Sequence, residues 1–107
     1  MSARESVFEG KLVKELEDLF PGAFVLKMFP GYIQGFPDRL ILHGDKWAAF
    51  EVKRYTLASH QPNQNYYIDV LNKMSYASFV YPKNKEVFLD EIQRALRITR
   101  TARLLRR

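Results

Sequence analysis

The sequence predicts an α/β domain with the element order α-β-β-β-α-β-α. Three observations carry that prediction. Apolar residues recur at helical spacing in three separate segments, four short apolar or aromatic runs of strand type alternate with them, and Gly, Pro and polar residues punctuate the boundaries. The 107 residues suit one hydrophobic core, and a composition of 47% hydrophobic and 14% aromatic residues is enough to fill it.

From Val7 to Phe20 the residues Phe8, Leu12, Leu16, Leu19 and Phe20 repeat at helical spacing, and Pro21-Gly22 stops the run. On that helix Glu5 and Glu9 fall within or at the edge of the apolar stripe, whereas Glu17 and Asp18 point away. Ala23 to Phe29 reads as a strand, and the two Gly and two Pro of residues 30–37 predict a loop after it. Asp38 to Leu42 and Lys46 to Lys53 are two further strands, and His43-Gly44-Asp45 between them is short enough for an antiparallel hairpin. Residues 54–63 form a polar connection. A helix begins at Gln64 and presents Tyr67, Ile68, Leu71 and Met74. Ala77 to Tyr81 is a strand ended by Pro82, and Val87, Phe88, Ile92, Ala95 and Leu96 mark a final helix.

The composition narrows the function. No run approaches the roughly 18 apolar residues of a membrane span, and the first residues, with Arg4, Glu5 and Glu9, do not read as a secretory signal, so a cytoplasmic protein without a membrane partner is expected. Without cysteine, and with His43 and His60 far apart on polar or turn segments, thiolate and histidine metal centres are excluded. Metal chemistry must rest on carboxylates. The net charge of +5 predicts an anionic partner. Its distribution is uneven: residues 94–107 hold six arginines and no acid, which leaves residues 1–93 one charge on the negative side of neutral. Arg94, Arg97, Arg100, Arg103 and Arg106 recur every three residues, as a basic helical stripe or tail would.

One constellation carries chemistry. Pro37 fixes the backbone just before Asp38, at the mouth of a strand and beside a glycine-rich loop. On the next strand Glu51 and Lys53 are two residues apart and project from one face, with Phe50 and Val52 on the other. A hairpin brings Asp38 beside Glu51. Two carboxylates and the Val52 carbonyl form a hard oxygen set of the kind Mg²⁺ accepts. The adjacent lysine can orient water and offset charge that develops on a phosphoryl group.

With Pro37-Asp38, Glu51-Val52-Lys53 and the run from Gln64 to Leu71, the sequence resembles the PD-(D/E)xK nuclease superfamily, in particular its small VRR-NUC and Holliday-junction-resolvase-like members, many of them from phage. The resemblance covers about residues 5–90. Ser75 stands where VRR-NUC members usually carry glycine, and Val80-Tyr81-Pro82-Lys83 replaces their Val-Arg-Arg-like residues. The resemblance implies a restriction-endonuclease-like mixed sheet flanked by helices. A nuclease domain over residues 1–96 is expected, followed by the basic helix or tail over 97–107 that the arginine spacing suggests. The resemblance also implies a Mg²⁺- or Mn²⁺-dependent DNA endonuclease. Asp38, Glu51 and the Val52 carbonyl would ligate metal, Lys53 would activate water, Glu9 (rather than Glu5) would hold a second metal or its water, and Gln64 (rather than Gln61) would position Lys53 or the phosphate. No small-molecule cofactor is expected.

A domain this small reads DNA shape more readily than sequence, so branched DNA such as a Holliday junction is the expected substrate, with a homodimer cutting two strands. Two alternatives stay open: a nicking or exonucleolytic enzyme of the same fold, and a non-catalytic DNA-binding module that works through its basic tail.

Overall fold

The computed structural model describes residues 3–29 and 31–97. Helix α1 (Ala3–Leu19) begins four residues before the apolar repeat and buries Leu12 and Leu16, with Phe20 just beyond its end. Gly22, at φ 87°, then reverses the chain, a conformation that costs glycine little. Strands β1 (Phe24–Lys27), β2 (Arg39–His43) and β3 (Lys46–Val52) pair antiparallel in succession, and Gly44 at φ 63° makes the tight turn between the last two. Helix α2 (Gln64–Met74) then crosses over, as a parallel pairing requires, so that β4 (Tyr76–Val80) runs parallel to β3. A 3-10 turn over Pro82–Asn84 leads into α3 (Lys85–Ala95). The sheet order is β1-β2-β3-β4.

This is the α/β class with a mixed sheet that the periodicities predict. Side-chain alternation divides it into two layers. Ile41, Ala48, Phe50, Val52 and Val80 pack with Leu12, Leu16, Phe88 and Ile92 of α1 and α3. On the opposite face Ala49, Ala77 and Leu71 form a smaller cluster with Leu40, Trp47, Tyr67 and Ile68 under α2. The paired alanines Ala48 and Ala49 let helices approach β3 from both sides. Among the described residues no helix is long and apolar enough to cross a membrane.

His43 departs from the turn residue expected of it. It ends β2 on the α1 and α3 side, stacks at a tilt on Phe20 with ring centroids 5.1 Å apart, and its Nδ1–H donates to the Leu96 carbonyl at 3.1 Å. The strand runs one residue further than predicted, which gives His43 the same face as Ile41.

Candidate active site

Pro37 is buried and holds the chain where the loop enters β2. The Met28 N–H donates to the Asp38 carbonyl at 2.7 Å, which adds a rung to the β1·β2 ladder and fixes the Asp38 backbone. The N–H of Asp38 itself donates to Glu51 Oε1 at 2.9 Å. Asp38 and Glu51 are thus brought together from adjacent strands. The other carboxylate contact of Asp38 is with Lys27, whose Nζ lies 3.9 Å from Oδ2.

Glu51 and Lys53 share the α2 face of β3, because Phe50 and Val52 are committed to the opposite core. Past the end of the strand the Lys53 N–H donates to the Val80 carbonyl at 2.8 Å, so the parallel ladder continues through the lysine. Its side chain is only 9% exposed. Nζ donates to Gln64 Oε1 at 2.8 Å and to the Ser59 carbonyl at 3.2 Å. Gln64 is itself 7% exposed and its Oε1 also accepts the Gln61 N–H at 2.8 Å. The first side chain of α2 therefore touches the lysine of β3. Gln61 is exposed and is bonded to Gln64 through its backbone.

The two carboxyls do not ionise as ordinary acids. Burial pushes Glu51 up to about 7, and the charges of Asp38 and Glu9 add to that, against the opposing pull of the Asp38 N–H and of Lys53. Asp38 is raised as well, first by burial and then by Glu9, with Lys27 and Arg39 opposing. Both lie at a groove of about 550 Å³, walled by Gly31 and Ile33 to Phe36 on one side and by Gln61 and Gln64 on the other. Gly35 seats that wall. It has φ 87°, and a Cβ built there would lie 2.5 Å from the Pro62 carbonyl oxygen and 2.7 Å from Asn63 Cβ. The loop therefore rests directly on the residues that start α2.

Glu9 is placed differently from the expectation. It is 2% exposed, so it does face inward, but Arg39 Nε donates to its Oε2 at 2.6 Å. Alternation along β2 explains this. Arg39 shares the α1 side with Ile41, whereas Asp38 and Leu40 face α2. Among the described residues no group of three His, Cys, Asp or Glu side chains is placed to hold one metal ion, so the three-acid cluster expected from Glu9, Asp38 and Glu51 is not formed. Glu9 Oε1 is buried without a hydrogen-bond partner.

Other aromatic and charged side chains lie away from this groove or are otherwise engaged. Tyr67 packs on Phe36 with centroids 5.5 Å apart while Tyr66 is exposed. His60 stacks on Phe79 at 4.2 Å and its Nδ1 lies 2.7 Å from Asn65 Oδ1. Lys85 pairs with Glu15 at 3.1 Å, and Arg94 with Asp90 at 2.6 Å. Arg100, Arg103, Arg106 and Arg107 lie outside the described residues.

No family model matches the chain, and neither a curated protein nor a solved structure is significantly similar to it.

The donor set fits a hard divalent cation. Asp38 and Glu51 offer carboxylate oxygens, no sulfur competes, and two half-buried acids held side by side are costly until a cation shares their charge. The unpartnered Oε1 of Glu9 is a third oxygen in the same electrostatic neighbourhood, since its charge raises both acids.

Proposed function

We propose that this chain is a Mg²⁺- or Mn²⁺-dependent DNA endonuclease of the restriction-endonuclease-like kind, selective for branched structures such as a Holliday junction and acting as a homodimer. The observation that carries the reading is the convergence of an acid pair, Asp38 with Glu51, and a buried lysine, Lys53, held by Gln64. Each pair alone is common on protein surfaces. Their meeting at Glu51 and Lys53, two residues apart at the end of β3 and beside a groove, matches the residues on which the resemblance to PD-(D/E)xK nucleases rests.

In this reading Asp38 and Glu51, with the Val52 carbonyl, hold the cation, which when bound supplies Lewis acidity at the phosphoryl group. Lys53 orients the attacking water and offers positive charge where the transition state accumulates negative charge. Gln64 and the Ser59 carbonyl restrict the lysine to one direction, so little rearrangement is needed during reaction. Both acceptors are neutral and leave the lysine charge uncancelled. Glu9 would act through its free oxygen, since Arg39 occupies the other.

A pure binding module gains nothing from two carboxylates beside an anionic ligand. The test is incubation with Mg²⁺ or Mn²⁺ and labelled four-way junction, flap, nicked, duplex and single-stranded DNA. The reading expects metal-dependent scission, strongest on the branched substrates. Scission of none of them, with the protein folded, contradicts it.

A further inference from the structure

Two aromatic side chains stand almost wholly in solvent on the loop that walls the groove, Phe29 at 82% exposure and Tyr32 at 79%. Rings of this size bury large areas when they pack, so leaving both in water contributes nothing to the fold. Their backbone is nevertheless defined. The Tyr32 N–H donates to the Phe29 carbonyl at 3.3 Å, Gly31 takes φ 79°, and Gly35 seats the far end of the loop on Pro62 and Asn63. Phe29 and Tyr32 line a notch of about 50 Å³ whose wall includes Asp38, and Asp38 also lines the acid groove. The aromatic notch and the groove therefore meet at one carboxylate.

A cation stands at the same carboxylate, since Lys27 Nζ lies 3.9 Å from Asp38 Oδ2. Ring faces beside a positive charge suit a ligand that carries flat π faces and phosphates together. Unpaired nucleotides present both. A continuous duplex keeps its bases stacked on one another and offers these rings only sugar and phosphate.

Resting on the nuclease reading above, we propose that Phe29 and Tyr32 stack on bases freed from the duplex beside the scissile phosphate, so that the substrate class is DNA with unstacked bases: branch points, flaps and single-stranded ends.

The test measures binding by anisotropy, in the absence of divalent metal, for fluorescein-labelled single strand, four-way junction and continuous duplex. Two double variants are compared with wild type, Phe29→Ala with Tyr32→Ala, and Phe29→Leu with Tyr32→Leu, the second keeping apolar bulk and losing the π faces. Lost base–aromatic stacking corresponds to roughly a 5- to 150-fold loss of affinity per base. Both variants are expected to lower affinity for single strand and junction at least about fivefold relative to duplex, with the melting temperature unchanged. Equal effects on all three DNAs, or full retention by the leucine variant, overturn the inference. A change in the mass of either variant by light scattering overturns it in favour of a protein-contact face. A wild type that cleaves DNA while its variants keep every preference overturns this inference alone, whereas a wild type that neither binds nor cleaves DNA overturns the nuclease reading with it.

Discussion

Burying the Glu51 carboxyl costs the folded state, because the ion does not recover from its neighbours all that it loses from water. The cost has a definite pH signature at Glu51. Its acid is raised from 4.5 to about 7, so between those values the folded protein keeps a proton that the unfolded chain has released. Stability must therefore fall as pH rises through that window and level off above it. The full shift corresponds to about 3 kcal/mol, an upper limit because solvent still reaches this half-buried group. Glu51→Gln, which keeps an acceptor for the Asp38 N–H, should flatten that dependence and melt higher than wild type at pH 8. A variant with the wild-type pH slope in thermal melts would show that the burden lies elsewhere. Saturating Mg²⁺ should raise the melting temperature of wild type more than that of the variant.

The Glu9–Arg39 pair makes a second residue-scale prediction. Removing one partner of a buried ion pair strands the other, at roughly 3–5 kcal/mol. Arg39→Met should lose about that much in urea unfolding, and adding Glu9→Gln should recover a substantial part, because the stranded charge is gone. Purely additive losses would mean that the two side chains are not coupled in solution.

At the level of elements, the site depends on how the loop over residues 31–36 meets the start of α2. Gly35→Ala must place a Cβ against Pro62 and Asn63 and keep φ 87°, a left-handed conformation that costs about 1–2 kcal/mol even without the contact. Urea unfolding should show a loss of about 2 kcal/mol or more, and cleavage should fall with it, since the displaced segment precedes Gln64. Gly10→Ala is the counter-case. Open space surrounds that position in α1, and the substitution should stabilise the domain by about 0.5–1 kcal/mol.

The elements themselves were largely legible in the sequence. The periods of 3.6 and 2 separate α1, α2 and α3 from the strands, and Pro82 and Pro21-Gly22 mark ends. The pairing of Asp38 with Glu51 follows from hairpin register, and the shared face of Glu51 and Lys53 from alternation. What escaped is contact between distant segments. Lys27 reaches Asp38 through a loop, and Arg39 captures Glu9 across 30 residues. Helical phase could turn Glu9 inward without saying which side of the sheet α1 covers, and that side decides its partner.

For the molecule as a whole, charge and chemistry occupy different parts of the chain. The proposed site residues fall between Glu9 and Gln64, whereas residues 94–107 carry six arginines and no acid. Deleting residues 98–107 removes four of them. If these meet phosphates, the slope of log affinity against log salt on duplex DNA should flatten by roughly 0.9 per lost contact, while the cleavage rate at saturating DNA is retained. An unchanged slope would assign the phosphate contacts to the body, with Lys27 and Arg54 as first candidates.

The central claim, that Lys53 and the acid pair form a hydrolytic centre, is tested most directly by single-turnover cleavage of a four-way junction at saturating protein and Mg²⁺, comparing wild type with Lys53→Ala. Loss of one preorganised transition-state contact is expected to slow the step by roughly 10²- to 10³-fold, with junction affinity changed only severalfold, because one cation among many binds DNA weakly. A folded Lys53→Ala protein that cuts at the wild-type rate would contradict the account.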